Sequence, residues 1–154
     1  MKEISLIFVS HPSSKVRVLF YEIIANLCCG NSSQIDQFLK NRFLIDKLLD
    51  TVKFAEPKGK KDLLRIFKNI CIDGDPEKIM KFYCEKDILQ YYEYGLFTET
   101  SEEFLALILE YLLKIVEFSE ANKVKGESIL SKKIRLSAIS SRILEIEGEK
   151  ENLK

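Results

Sequence analysis

An internal repeat constrains the fold of this chain more than any other feature. Residues 15–49 recur in related form as residues 60–92, and Asn26 aligns with Asn69. Four apolar positions then match at an offset of 43, and four further positions match at an offset of 44 after one inserted residue. The matched pairs are Phe20/Leu63, Ile23/Ile66, Ile24/Phe67 and Leu27/Ile70, then Gly30/Gly74, Ile35/Ile79, Phe38/Phe82 and Leu44/Ile88. Because one such repeat cannot bury its apolar face alone, we expect successive repeats to stack.

The spacing of apolar residues indicates helices within each repeat. Apolar side chains recur at intervals of three and four, which is the helical period. Turn-forming residues interrupt this pattern near 11–14, 30–33, 56–59, 73–76 and 98–101. Each repeat therefore reads as a short helix, a second helix and a long helix, which is typical of an armadillo array, whereas two helices would indicate a HEAT array. We predict an all-α, right-handed armadillo-type solenoid of about 2.5 to 3 repeats over residues 1–120.

The chain changes character after Glu120. Residues 121–130 are polar and contain a glycine, which indicates a linker. Residues 131–147 have the apolar spacing of an amphipathic helix, which we interpret as a cap on the last repeat in preference to a separate binding helix. Residues 148–154 read as a frayed tail.

The charge balance and the lack of long apolar runs limit the partners of this chain. Its 24 basic and 24 acidic residues cancel, so no overall field attracts nucleic acid or an anionic membrane. No apolar run approaches the roughly 20 residues needed to cross a bilayer. The first 14 residues lack the pattern of a signal peptide. We predict a soluble intracellular protein that binds neither nucleic acid nor membranes.

The sequence contains few residues suited to catalysis or metal binding. Cys28, Cys29, Cys71 and Cys84 could form disulfides or hold zinc, but three of them lie within helical apolar patterns and two are adjacent. We predict that they are small, reduced core residues. His11 precedes a proline and reads as a surface turn residue. With no histidine near a cysteine at helical spacing and no glycine-rich phosphate loop, we predict no enzymatic activity, cofactor or metal.

Two stretches resemble the later repeats of the importin-α (karyopherin-α) family of armadillo proteins. They are IIANLCCGNSSQIDQFLKN followed by LIDKLL, and FAEPKGKKDLLRIFKNI. In that family the long helix ends on an asparagine between aliphatic residues, followed by a small turn and a pair such as Gln-Ile. Asn26 and Asn69, with Gly30 and Gly74, are similar to this pattern. The resemblance extends over about residues 5–122, although Lys114 stands where a third asparagine is expected.

The resemblance implies a groove for an extended peptide, in which Asn26 and Asn69 hold the peptide backbone. An asparagine amide both donates and accepts hydrogen bonds, so it can hold a backbone without selecting side chains. The family places tryptophans four residues earlier, whereas this chain has none and carries Glu22 and Arg65 there. Asp62 falls at an acidic position of the family. Glu22 would attract a lysine and Arg65 would repel one, so we expect weakened binding of basic nuclear-localisation peptides.

Two functional hypotheses remain open from the sequence. The first is a non-catalytic peptide- or protein-binding module of cytoplasm and nucleus, related to nuclear import adaptors. The basic arm that recruits a transport receptor is not evident, because Lys2 is the only lysine or arginine among residues 1–14. The chain is then a shortened, diverged member or a piece of a longer one. The second is a scaffold or assembly subunit that pairs through the apolar end faces of its stack, and the apolar run 2–10 directs attention to the N-terminal face. For the polar residues named above, a merely solvated helix face is the competing interpretation.

Overall fold

The computed structural model describes residues 7–123 and 128–151, with the backbone alone at residues 147 and 149–151. All regular secondary structure within these residues is helical. The predicted all-α class is therefore confirmed, and the arrangement is compatible with an α-solenoid. Two compact units divide between Tyr91 and Tyr92, so the predicted repeat region, residues 1–120, spans both.

The helices follow one another with short connections. A stretch of helical backbone at 7–9 precedes them. In chain order they are α1 (Ser14–Leu27), α2 (Ser32–Lys40), α3 (Arg42–Val52), α4 (Pro57–Asp73), α5 (Pro76–Glu85), α6 (Leu89–Thr98), α7 (Glu102–Ala121), α8 (Ile129–Leu136) and α9 (Ala138–Glu151).

The turn between the long helix and the next short helix has the same design in both repeats. Asn31 accepts from the Gln34 amide at 3.1 Å and caps α2, and Asp75 accepts from the Lys78 amide at 3.1 Å and caps α5. The glycine before this turn is needed because a side chain would not fit there. A left-handed conformation is not the reason, since Gly74 has φ −81°. A Cβ there would lie 2.7 Å from the Ile70 carbonyl oxygen.

Helix α4 forms the centre of the first unit. Its residues Leu63, Ile66, Phe67 and Ile70 are each 0 % exposed, and α1 lies directly alongside. The Asn69 side chain binds the Ala25 carbonyl, and the Tyr21 ring lies 3.4 Å from the position that a Cβ would occupy at Gly59. Both links advance in the same direction along the two helices, so α1 and α4 run parallel.

Ion pairs join the remaining helices of the first unit across the same interval of sequence. Asp36 lies 2.6 Å from Lys78, Arg42 lies 3.3 Å from Glu85, and Asp46 lies 2.5 Å from Lys86. Each pair links α2 or α3 to the α5 region about one repeat later. Two successive sets of helices, α1 to α3 and α4 to α5, are therefore in register, and we call them the first and second layers.

The second unit differs from the prediction in how its last helices are divided. A single helix was expected over 131–147, but the chain breaks at Ser137. The Ser137 hydroxyl donates to the Ile134 carbonyl at 2.8 Å and accepts from the Ile139 amide at 3.3 Å, so it ends α8 and begins α9. Helix α9 continues to Glu151, where a frayed tail was expected, and residues 152–154 lie outside the described residues.

The predicted linker, residues 121–130, includes residues that are packed against the rest of the chain. Residues 124–127 lie outside the described residues, but Ser128 and Leu130 are buried. The Ser128 hydroxyl lies 2.8 Å from that of Ser119, which in turn accepts from the Leu130 amide at 3.1 Å. Residues 128–130 are thus packed against the end of α7, which extends to Ala121.

Candidate peptide-binding site

The polar residues expected to line a groove lie along the junction of α1 and α4. Glu22 and Asn26 are one turn apart on α1, and residues at this spacing share a face of the helix. Asn26 is exposed and Glu22 is half-buried. Asp62, Arg65 and Asn69 follow the neighbouring side of α4. We call these five residues the junction strip.

Asn69 does not have the predicted role. Its side chain is 1 % exposed, and its Nδ2 donates to the Ala25 carbonyl oxygen at 2.8 Å. In a continuing helix the Cys29 amide would bind that carbonyl, but it donates to the Asn26 carbonyl instead, at 3.1 Å. A carbonyl left over at a helix end needs another donor. The prediction that Asn69 is presented to a ligand is therefore wrong, because Asn69 caps the end of α1 from the next layer.

Asp62 and Arg65 form an ion pair that is largely withdrawn from solvent. An Asp62 carboxylate oxygen lies 3.0 Å from the Arg65 guanidinium, and Asp62 is 8 % exposed. Burial raises the pKa of Asp62, the Arg65 and Lys58 charges oppose this, and the Glu22 charge adds to it. Because Asp62 faces Arg65, the repulsion that Arg65 exerts on a lysine is smaller than expected from the sequence.

The accessible part of the strip is thus smaller than predicted. Asn26 is exposed, Glu22 is half-buried, and about a third of the Arg65 side chain is exposed, at 32 %. These three groups can donate and accept hydrogen bonds, and the Glu22 carboxylate places a negative charge near the Asp62–Arg65 ion pair. The arrangement suits binding of a polar or mildly basic chain.

The cysteines divide into two classes. Cys28 and Cys71 are buried, as predicted, whereas Cys29 is exposed and Cys84 is half-buried. Burial raises the pKa of both Cys28 and Cys71 to about 12, so these thiols stay protonated at neutral pH and are poor nucleophiles. All four are free thiols. Across residues 7–123 and 128–151, no three His, Cys, Asp or Glu residues are grouped as metal ligands.

A second surface is an apolar groove beside α1. The sequence directed attention to an apolar N-terminal face through residues 2–10 but did not identify the residues of this groove. The groove has a volume of about 530 Å³ and lies between α1, α2 and the start of α3. Ile23 is 56 % exposed and Leu27 is 53 % exposed, although their repeat counterparts Ile66 and Ile70 are fully buried. The available signal was that α1 is apolar on both sides, like the buried helix α4. We call this surface the open face.

Comparison with models of known protein families gives no match for this chain, and comparison with curated proteins gives none either. Within the part of the chain that the structure describes, no helix combines the length and apolar character needed to cross a membrane.

Proposed function

We propose that this chain is a non-catalytic protein-binding module of the armadillo type, related to the nuclear import adaptors of the importin-α family. The proposed architecture is a right-handed solenoid of about 2.5 to 3 three-helix repeats. The proposed ligand is an extended, mildly basic segment of another protein. The proposed location is cytoplasm and nucleus, where such cargo is exchanged.

The observation that carries this proposal is the parallel placement of α1 and α4 with accessible polar groups at their junction. Asn26 offers a donor and an acceptor to a peptide backbone, and Glu22 lies one turn before it. An exposed amide of this kind can hold the backbone of an extended segment. The in-register layers support the armadillo-type stacking of the proposal.

The proposed binding is weak for two physical reasons. The chain contains no tryptophan to form slots for lysine stems. The Asn69 side chain donates to the Ala25 carbonyl, so at this junction the amide of Asn26 is available to hold a peptide backbone and that of Asn69 is not. Arg65 is neutralised by Asp62 and does not prevent a cation from reaching Glu22.

Isothermal titration calorimetry with a lysine-rich peptide tests this function. We expect a dissociation constant in the range of roughly 10 to 500 μM that weakens with added salt, since the attraction to Glu22 is exposed to solvent. Asn26→Ala removes one hydrogen-bonding group and should weaken binding about fivefold, and Glu22→Gln should reduce both affinity and salt dependence.

Gln90→Ala serves as the matched control, because Gln90 is exposed and belongs to α6, whereas the junction strip lies on α1 and α4. A peptide of the same length in which glutamine replaces each lysine controls for charge. The proposal fails if the lysine-rich peptide gives no heat at millimolar concentration, or if Asn26→Ala and Glu22→Gln both bind like the unmodified chain.

A further inference from the structure

The open face occupies the same position in the first layer that an internal interface occupies in the second. In α4, which lies along α1, the four apolar repeat positions are fully buried. In α1, the matching positions are open at Ile23 and Leu27, and Phe20 is half-buried. The surface is therefore built like one side of a layer-to-layer contact.

The described residues before α1, 7–13, contact one edge of this surface. Phe8 stacks on Phe20 with ring centroids 5.4 Å apart and ring planes at 11°. Val9 is 2 % exposed beside it. Phe38 and the exposed sides of Ile23 and Leu27 still line the groove of about 530 Å³.

The rim of the open face differs in charge from the rim of the internal contact. In the second layer, Lys78 and Glu85 meet Asp36 and Arg42 of the first layer in ion pairs. Lys81, which stands three residues after Lys78, is a third charged residue on this rim of the second layer. In the first layer the residues at those three positions are uncharged amides: Gln34, Gln37 and Asn41. None of the described residues that line the groove is charged.

This difference indicates which partner fits. A charged rim selects a partner with the opposite charges, so it favours contact between two different faces. In a two-fold symmetric contact each face meets its own copy, so charges of one sign that lie close to the two-fold axis would repel one another. Amides are both donors and acceptors and can pair with other amides without this cost. The uncharged amide rim around an apolar centre is self-complementary.

We propose that the open face is a self-association site, at which a second copy of this chain binds through the same face in a two-fold symmetric dimer. Ile23, Leu27 and Phe38 form the apolar centre, and Gln34, Gln37 and Asn41 form the polar rim. Asn26 and Glu22 are not among the residues that line this groove.

Sedimentation velocity of the full chain over roughly 1 μM to 1 mM tests the dimer. We expect the mass to rise from monomer towards dimer with concentration and to change little with salt, because the contact is apolar with an uncharged rim. Ile23→Glu places a charge at the apolar centre and should weaken association at least tenfold. Phe54→Glu is the matched control, because Phe54 is 88 % exposed and does not line the groove, and it should associate like the unmodified chain.

A second variant keeps the test independent of folding defects. Gln37 is exposed, so Gln37→Lys should fold normally and introduces the residue found at the equivalent position of the second layer. Two copies then bring lysines to one rim, and we expect weaker association at low salt that recovers at high salt. A monomer at every concentration overturns the proposal. So does equal dimerisation of Ile23→Glu and the unmodified chain, or open-ended growth beyond a dimer. Asn26→Ala should dimerise normally, which separates this test from that of peptide binding.

Discussion

The roles of individual polar side chains depend on contacts between layers that the repeat alignment does not reveal. Asn26 and Asn69 occupy the same repeat position, yet one is exposed and the other is 1 % exposed. The difference arises because α1 lies alongside α4 and ends where Asn69 can reach the Ala25 carbonyl, at 2.8 Å. The position in a repeat therefore predicts which residue type stands there better than it predicts what that side chain contacts.

Substitution of the two asparagines separates these tasks. Asn69→Ala leaves the buried Ala25 carbonyl without a donor, so we expect it to lower the free energy of unfolding by about 1 to 3 kcal/mol. Asn26→Ala should change it by less than about 0.5 kcal/mol, because Asn26 is exposed. Urea denaturation followed by circular dichroism measures both. Equal effects of the two substitutions would contradict the assignment of Asn69 as the cap of α1.

The thiols provide a prediction that depends on pH. Below pH 9 the buried thiols Cys28 and Cys71 are protonated in both folded and unfolded chains. Their folded pKa is raised from 9.0 to about 12, so their contribution to stability is lost as the pH rises from 9 towards 12. At pH 8 we expect iodoacetamide to alkylate exposed Cys29 in the folded chain, and Cys28 and Cys71 only after unfolding. Peptide mass mapping identifies the modified sites, and fast labelling of Cys71 in the folded chain would be inconsistent with this burial.

At the level of elements, the repeated glycines mark places where the chain passes very close to itself. Gly74 lies where the end of α4, the start of α5 and Ile35 of the first layer converge. The repeat alignment identified Gly30 and Gly74 as equivalent, but the reason is the lack of room for a side chain. This could not be predicted from the sequence, because it depends on the path of the Ile70 carbonyl and on the position of Ile79.

Replacement of two glycines by alanine distinguishes crowding from helix propensity. In Gly74→Ala the new Cβ lies 2.7 Å from the Ile70 carbonyl oxygen, so the backbone must shift, and we expect a loss of about 1 to 3 kcal/mol of stability. In Gly148→Ala the new Cβ meets no atom within 4 Å inside α9, and we expect a gain of up to about 1 kcal/mol from helix propensity. Thermal and urea unfolding of both variants test this, and a neutral Gly74→Ala would refute the crowding.

At the level of the whole chain, the sequence predicted the helical class because apolar spacing and turn residues agree along most of its length. It also predicted the repeat offset, since buried positions such as Ile66 and Ile70 have clear counterparts in Ile23 and Leu27. It did not predict that these counterparts are exposed, because residue type does not indicate whether another layer lies against it. The break at Ser137 was also missed, since serine is tolerated within helices and its two hydrogen bonds form only in the folded chain.

The ion pairs between the first and second layers also encode the order of the layers. Asp36, Arg42 and Asp46 meet Lys78, Glu85 and Lys86, whose counterparts in the first layer are Gln34, Asn41 and Arg42. A tandem duplication of the first layer would create a junction in which only Asp46 finds a cation. A repeat gained by recombination would thus lose two of the three ion pairs at the new boundary unless compensating substitutions accompany it, and so would a chain whose layers dock in the wrong order.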